Sequence, residues 1–399
     1  MLKPGRTPIP EGAMASPRAF VVLAILFAVY SGPALGQGPR QGIKTPLPPP
    51  DFEIRNGGLD PGRPGRPVGE PYSGPIYDTH VHVFNRDSAG VSDILAWMDK
   101  TGVERLLVLP TPNEGIFRDG EMNAGDRRRW PEMAGDRGGR LCGSTYLTNW
   151  MHDAYNNGYD PADLERRLKR LEKDLDDGGC LGVGEIGPYH FDKKGHGGII
   201  TFPLNFEPML AVAGVAARKG VPLDIHAEPN AKGGGSYEEK LYGGFALLYQ
   251  RYPNLKLILA HTGMTNPVNA RRLLETYPNM MMNMKWVGGR GELKWGHLGP
   301  IINADRNLYE DWAKLFEDMP DRFMVGTDSR FGTRQYQGRR YGKNIKVTRR
   351  LLGSLDPKAA AMIAHGNARR IFGETTHKVP DQPAADKKGG RKKKRKKRR

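Results

Sequence analysis

Cysteine is nearly absent: the 399 residues hold two, Cys142 and Cys180. Two cysteines do not make a disulfide scaffold. Both begin what read as consecutive strands, so a bridge between them is open, but two buried free thiols are the expected state. A membrane-length apolar run is missing from the leading segment too. Ala19–Tyr30, "AFVVLAILFAVY", has twelve residues, and a span needs about 20. No repeat of 20–50 residues is evident, which sets aside solenoids and propellers. Acidic side chains are missing from residues 387–399, which hold eleven Lys and Arg. Without those eleven, the formal charge of +17 falls to +6, and residues 1–36 account for +2 of that. The body is therefore not a strongly basic fold, and the charge belongs to a tail.

What is present divides the chain into four parts. Arg18 precedes the short apolar run, and Ala34 and Gly36 suit the small-residue positions before a cleavage at Gln37. Residues 1–36 thus read as an export signal, with an uncleaved anchor as the alternative. No cysteine follows the run, so lipidation is unsupported. Residues 37–75, with "TPLPPP" and "DPGRPGRPVGEP", read as an extended, largely disordered linker. Residues 374–399 read as a disordered Lys/Arg-rich tail. With an export signal ahead of it, an acidic envelope surface is a better expected partner than nucleic acid, although nucleic acid stays open. The plain alternative is a polar tail with no specific partner.

From residue 76 to 373 short apolar runs alternate with longer amphipathic ones. That pattern argues for parallel strands joined by helices. Eight strands are expected: Ile76–Phe84, Arg105–Pro110, Leu141–Thr148, Leu181–Ile186, Pro222–His226, Lys256–His261, Met280–Lys285 and Arg322–Thr327. Among the helices, "DPADLERRLKRLEKDL" is the clearest. Asp160 can cap it, Pro161 suits its first turn, and Leu164, Leu168, Leu171 and Leu175 form one stripe. Eight β/α units over roughly 300 residues fit an α/β fold of the (β/α)8 TIM-barrel kind.

The first strand carries the chemistry. Side chains alternate along a strand, so in "IYDTHVHVF" Asp78, His80 and His82 share one face. Two neighbouring imidazoles are costly to bury without a partner, and a divalent metal is such a partner. The bland reading is a pair of half-exposed histidines at a strand end. Other strand ends weigh against it. Catalytic groups of a barrel stand at the C-terminal ends of its strands. Here those ends bring Glu185 in "GVGEIG", His226 in "PLDIHAE", His261 in "LILAHTG" and Asp328 in "FMVGTDS". Four single metal-competent residues, each after an apolar run, join the paired imidazoles in a chain with ten histidines.

On these residues the stretch from about Ile76 to Gly373 resembles the amidohydrolase superfamily of metal-dependent hydrolases. "HVH", His226, His261 and Asp328 in "GTDS" carry the likeness. "GNARRIFG", Gly366–Gly373, is similar to the closing helix of the amidohydrolase-related branch. "VGEIG" is similar to the segment of relatives, metal-dependent deoxyribonucleases among them, that use Glu as a metal bridge. The resemblance implies that His80, His82 and Asp328 hold one metal, that His226 and His261 hold a second, and that Glu185 bridges. The plain reading of Glu185 is a carboxylate that orients a histidine ligand. The resemblance further implies a hydrolase, exported by the reading of residues 1–36, in which metal-activated water, with Asp328 as general base, attacks a small-molecule amide, ester or lactone. A phosphoester hydrolase, a mononuclear-metal decarboxylase and a non-catalytic binding protein are the alternatives. One or two divalent ions are implied, zinc first, then manganese or iron. Asp78 is a candidate to support the ligands or a buried group bonded to backbone. The loop "KWVGGRGELKWGHLG" holds Lys285, Arg290 and His297, and Arg290 could clamp a carboxylate or phosphate, with a solvated side chain as the plain reading. Tyr189, His190 and Arg330 stand near strand ends, and a solvated role is the usual one for such groups.

Overall fold

The computed structural model describes residues 65–378 apart from 84–90, 112–129, 131, 133, 178, 192–198, 232–234, 286–298, 304 and 332–337. The expected signal, most of the expected linker, the loop carrying Arg290 and nearly all of the basic tail lie outside the described residues.

The strands are β1 (Ile76–Val83), β2 (Val103–Val108), β3 (Gly138–Arg140), β4 (Cys142–Gly143), β5 (Val183–His190), β6 (Ile200–Thr201), β7 (Leu223–Ala227), β8 (Leu257–Leu259), β9 (Met280–Met284), β10 (Phe323–Val325) and β11 (Ser329–Phe331). All pair in parallel except β6, which lies antiparallel on the end of β5. One sheet runs β11-β1-β2-β3 and the other β10-β9-β8-β7-β5-β4. Two broken strands join them. Gly138–Gly143 pairs with β2 before its break at Leu141 and with β5 after it. Phe323–Phe331 pairs with β9 before its break and with β1 after it. Eight parallel segments therefore stand round one ring, the (β/α)8 arrangement.

The ring is filled, as a barrel of this size must be. Tyr77, Leu107, Leu109, Leu141, Ile258, Met281 and Met324 come from six strand segments yet form one cluster with Ala368 and Phe372. A cluster drawn from opposite sides of a ring lies inside it. The larger cluster, with Ile76, Val81 and Val83, lies between strands and helices. Each fully buried apolar side chain of this kind contributes about 1.5–3 kcal/mol. The alternation expected along β1 is interrupted. A register shift between Asp78 and Val81 lets Tyr77 face inward as well as His80 and His82.

The helices are α1 (Val91–Thr101), α2 (Ser144–Asn157), α3 (Pro161–Asp176), α4 (Glu207–Lys219), α5 (Glu238–Arg251), α6 (Pro267–Thr276), α7 (Glu310–Asp318), α8 (Gly338–Leu352), α9 (Pro357–Ala361) and α10 (Asn367–Phe372). A π turn over Met362–Gly366 joins the last two. In α3 the Asp160 carboxylate accepts from the Ala162 amide at 2.9 Å, with Pro161 in the first turn. Leu164, Leu171 and Leu175 are its buried stripe.

Several expectations are corrected. The segment Leu141–Thr148 is strand only as far as Gly143, and Ser144–Thr148 opens α2. Gly143, at φ 100°, turns the chain. The whole stretch from Ser144 to Thr148 is buried, so its β-branched and aromatic content reflected burial and not a strand. The fourth strand runs on from Ile186 to His190 because β6 pairs with its end. The sixth stops at Leu259, and Ala260–Met264 is a tight turn. Cys142 and Cys180 are not free thiols: they form a disulfide. The strand bearing Cys142 and the approach to β5 lie side by side, with the Cys142 amide on the Gly182 carbonyl at 3.1 Å. That adjacency is invisible across 38 residues of chain. The end of the expected linker packs on the barrel. Arg66 pairs with Glu310 at 2.6 Å and Glu317 at 2.5 Å, and buried Arg349 donates to the carbonyls of Tyr72 and Gly74.

Candidate metal centre

Parallel strands bring their C-terminal ends to one rim, and the structure places the six predicted residues there together. Glu185 is central and buried. Its Oε1 lies 2.8 Å from His226 Nδ1 and 3.4 Å from His261 Nε2. Its Oε2 lies 3.5 Å from His80 Nε2 and 3.6 Å from His82 Nε2. Asp328 Oδ1 stands 2.9 Å from His82 Nε2. Donors around a tetrahedral zinc, bonded at ~2.0–2.1 Å, stand roughly 3.3 Å apart, so most of these spacings suit atoms that share an ion.

Local backbone explains the placement. Gly184 lacks the side chain that would meet Asp224 Cβ at 2.7 Å, so β5 can lie hard against β7. A Cβ on Gly326 would stand 2.8 Å from Asn283 and 2.9 Å from His80. Asp328 and His261 adopt positive φ, 49° and 58°. Residues other than glycine rarely do so, and such strain gathers at functional sites. Asp78 explains how the Asp328 turn is held. Its carboxylate accepts from the Thr327 amide at 3.0 Å and the Thr327 hydroxyl at 2.7 Å. Asp328 itself donates its amide to the His80 carbonyl at 2.9 Å. Of the two roles foreseen for Asp78, this is the buried group bonded to backbone. Burial pushes its carboxyl up to about 6.

The charges are unbalanced. Three buried carboxyl groups, Asp224, Glu228 and Glu185, and the half-buried Asp328 face one ammonium, Lys285, which pairs with Asp328 Oδ2. Burial alone would push Glu185 up, but the charges of His80 and His226 outweigh it and hold the carboxyl well below its usual range. Burial also opposes the ionised form of Asp328, and Lys285 and the His82 hydrogen bond overcome it. Burial and Lys285 hold the His261 imidazole well below its ordinary value, so it stays neutral. His80 and His226 go the other way: burial opposes their protonation, but Glu185 overrides it. His80 Nε2 and His261 Nδ1 are buried without a hydrogen-bond partner, and an orphaned buried nitrogen is costly unless something binds it. The donor set is mixed nitrogen and oxygen, which suits zinc, manganese or iron. Among the described residues, the groups that could hold an ion are His80–Glu185–His261, His80–His82–Asp328 and His190–His226–Glu228, each with donors within 4.8 Å.

A family model described as amidohydrolase matches residues 77–373. The chain belongs to the amidohydrolase family. It is an enzyme, a metal-dependent hydrolase, and members of this family typically depend on a divalent metal. Among curated proteins no match was found. Solved structures similar to this amidohydrolase include a TIM-barrel protein, Bb4693, from Bordetella bronchiseptica, 12% identical, covering 74% of this chain and 97% of that one with a TM-score of 0.47. Others are dihydroorotase from Campylobacter jejuni, 13% identical over 77% and 86% with a TM-score of 0.45, and IDCase from Metarhizium anisopliae, 14% identical over 75% and 97% with a TM-score of 0.45.

Sequence reasoning missed several groups of the amidohydrolase rim. Asn283 accepts from the His261 amide at 2.8 Å, and its amide nitrogen lies 3.1 Å from His80 Nδ1. Lys285, foreseen only as a loop cation, lies two residues after Asn283, just past the end of β9. The signal was an Asn and a Lys spaced by two in a run of methionines, "MMMNMK". Asp224 and Glu228 flank His226 at the same spacing. Asp224 Oδ2 lies 3.8 Å from His80 Nδ1. The His82 ring donates from Nδ1 to the Leu109 carbonyl at 2.9 Å, which leaves Nε2 facing the centre. Arg330 follows Asp328 in β11 and is half-buried.

Proposed function

We propose that this amidohydrolase is exported and hydrolyses an amide, ester or lactone of a small molecule at the Glu185 centre. One observation carries the reading: a buried carboxylate with four imidazole nitrogens 2.8–3.6 Å from its oxygens and Asp328 against one of them. His80, His82 and Asp328 would hold one divalent ion, zinc before manganese or iron. When bound, it activates water and polarises the carbonyl under attack. Asp328, kept ionised by Lys285, accepts the proton of the attacking water. It then returns that proton to the leaving nitrogen or oxygen. The Lys285 ammonium faces the negative charge that develops on the substrate oxygen. Neutral His261 carries a lone pair on the same rim and offers a hydrogen-bond acceptor to the water. Asp78, through Thr327, keeps the Asp328 turn from drifting during these transfers.

Export draws support from the apolar run behind Arg18 and from the Cys142–Cys180 bridge, since disulfides persist in oxidising compartments. The basic tail would then hold the enzyme at an acidic envelope surface. The test is hydrolysis of a panel of amides, esters, lactones and phosphodiesters by protein stripped with chelator and reloaded with zinc or manganese. Metal-dependent turnover of the first three, abolished in His80→Ala, supports the proposal. Turnover of phosphodiesters alone, release of carbon dioxide from a carboxylic acid, or activity indifferent to metal refutes it.

A further inference from the structure

β11 follows the turn at Asp328, and its three side chains divide between two faces. Ser329 Oγ accepts from Asn344 Nδ2 on α8 at 2.9 Å. The Phe331 ring packs 5.0 Å, between centroids, from the Tyr341 ring of the same helix. Phe331 also belongs with Val81 and Val83 to the cluster between strands and helices. Side chains alternate along a strand, so Arg330, between those two, points the other way, toward the inside of the ring. Register agrees. Val81 pairs with Ser329, His82 with Arg330 and Val83 with Phe331. Neighbours in register share a face of a sheet, and on that face His82 turns its Nε2 to Glu185 and Asp328. Arg330 therefore stands beside the His82 imidazole at the rim. It is half-buried, yet among the described residues its side chain has no hydrogen bond, ion pair or ring contact. Other half-buried arginines have partners. Arg66 pairs with Glu310 and Glu317, Arg369 with Glu104, and Arg322 donates to the carbonyls of Tyr277 and Met280.

We infer that Arg330 binds a carboxylate carried by the substrate, so that the amide, ester or lactone cleaved here belongs to an acidic small molecule. The inference rests on the proposed function and names its substrate class. A guanidinium keeps its charge at every working pH, and its planar fork matches a carboxylate with two parallel hydrogen bonds. Lys285 is taken up by Asp328, so Arg330 meets the ligand alone. One cation balances a singly charged carboxylate, whereas a phosphate dianion would keep an unpaired charge near Glu185 and Asp328. Holding a group remote from the bond that breaks also orients that bond over the centre. Arg330 is thus a specificity-determining residue, set two positions past the proton-accepting Asp328.

The experiment uses zinc-loaded full-length protein and matched pairs of amides, esters and lactones, each with a free carboxylate or with that group capped as a carboxamide. Wild type is expected to favour the free acids by about 30-fold or more in kcat/KM, the usual cost of removing one partner of a hydrogen-bonded charge pair. In Arg330→Ala and Arg330→Gln that preference should collapse, with the loss in KM and not in kcat. Arg330→Lys keeps the charge without the fork and should fall between. Retained zinc and melting temperature should match wild type in every variant, which a merely structural role would not allow. Calorimetric titration of N-acetylglycine and N-acetylglycinamide reads the site without turnover: the acid should bind wild type more tightly than the amide, and Arg330→Ala should weaken the acid by about 30-fold. Equal kcat/KM for free and capped substrates in wild type, or a preference and an acid affinity that survive in Arg330→Ala, would overturn the inference and leave the proposed function standing. Acid binding that needs Arg330, in a protein that cleaves no amide, ester or lactone, would refute the proposed function and leave the anion subsite. A protein that neither cleaves the panel nor binds the acid overturns both.

Discussion

Reduction of the Cys142–Cys180 bridge is the sharpest perturbation available. The two cysteines are 38 residues apart, and the closed loop carries α2 and α3. In the chain-entropy account, closing a loop of that length removes about 13 cal/mol/K from the unfolded ensemble, or about 4 kcal/mol at 25 °C. Both sulfurs sit in apolar surroundings, with Cys142 2% and Cys180 5% exposed. Free thiols are tolerated in such places, so reduction adds little penalty of its own. Unfolding entropy near ~2.1 cal/mol/K per residue, over the roughly 300 residues of the barrel, converts ~4 kcal/mol into a fall in Tm of about 6 °C. The assay is a pair of melts, with and without reductant, beside a thiol count on denatured protein. Cys142→Ala/Cys180→Ala should melt at the lower temperature in both conditions. Two titratable thiols in unreduced protein, or wild-type melts that coincide within a degree, would refute the reasoning. Cys180 lies five residues before Glu185, so the reduced enzyme should also bind metal less tightly.

Other expected outcomes concern the rim and the closing helix. Asn283→Leu strips a partner from the His261 amide and from His80, and should cost about 1–3 kcal/mol in urea unfolding. The same variant should weaken metal binding roughly 10- to 100-fold in a chelator competition. Asp328→Asn should lower kcat by about 10²–10⁴ if the carboxylate moves the proton, with far-UV dichroism unchanged; a smaller drop removes Asp328 from that role. His365 is held below its ordinary value, first by burial and then by Arg369. The folded protein therefore binds fewer protons there than the unfolded chain. Its stabilising share is complete above the unfolded value of ~6.5 and is lost as pH falls through that value and below. Unfolding free energies at pH 7.5 and 5.5 should differ less in His365→Asn than in wild type, and an equal difference would contradict the assignment.

Sequence alone determined the alternation of strands and helices and where most strands begin, because both follow from hydrophobic period and capping within a few residues. The capped stripe of α3 is such a case. It also singled out His80, His82, Glu185, His226, His261 and Asp328, because a polar side chain at the end of an apolar strand is a local anomaly. Tertiary structure decided what those groups touch. The pairing of Asp78 with Thr327 spans 249 residues, and that of Asn283 with His80 spans 203. No local spacing encodes such contacts. The extension of β5 to His190, the break that turns Asp328 toward His82 and the bridge from Cys142 to Cys180 depend on which strand lies alongside. Ring order sets that neighbour, and it exists only once the barrel has closed on its core.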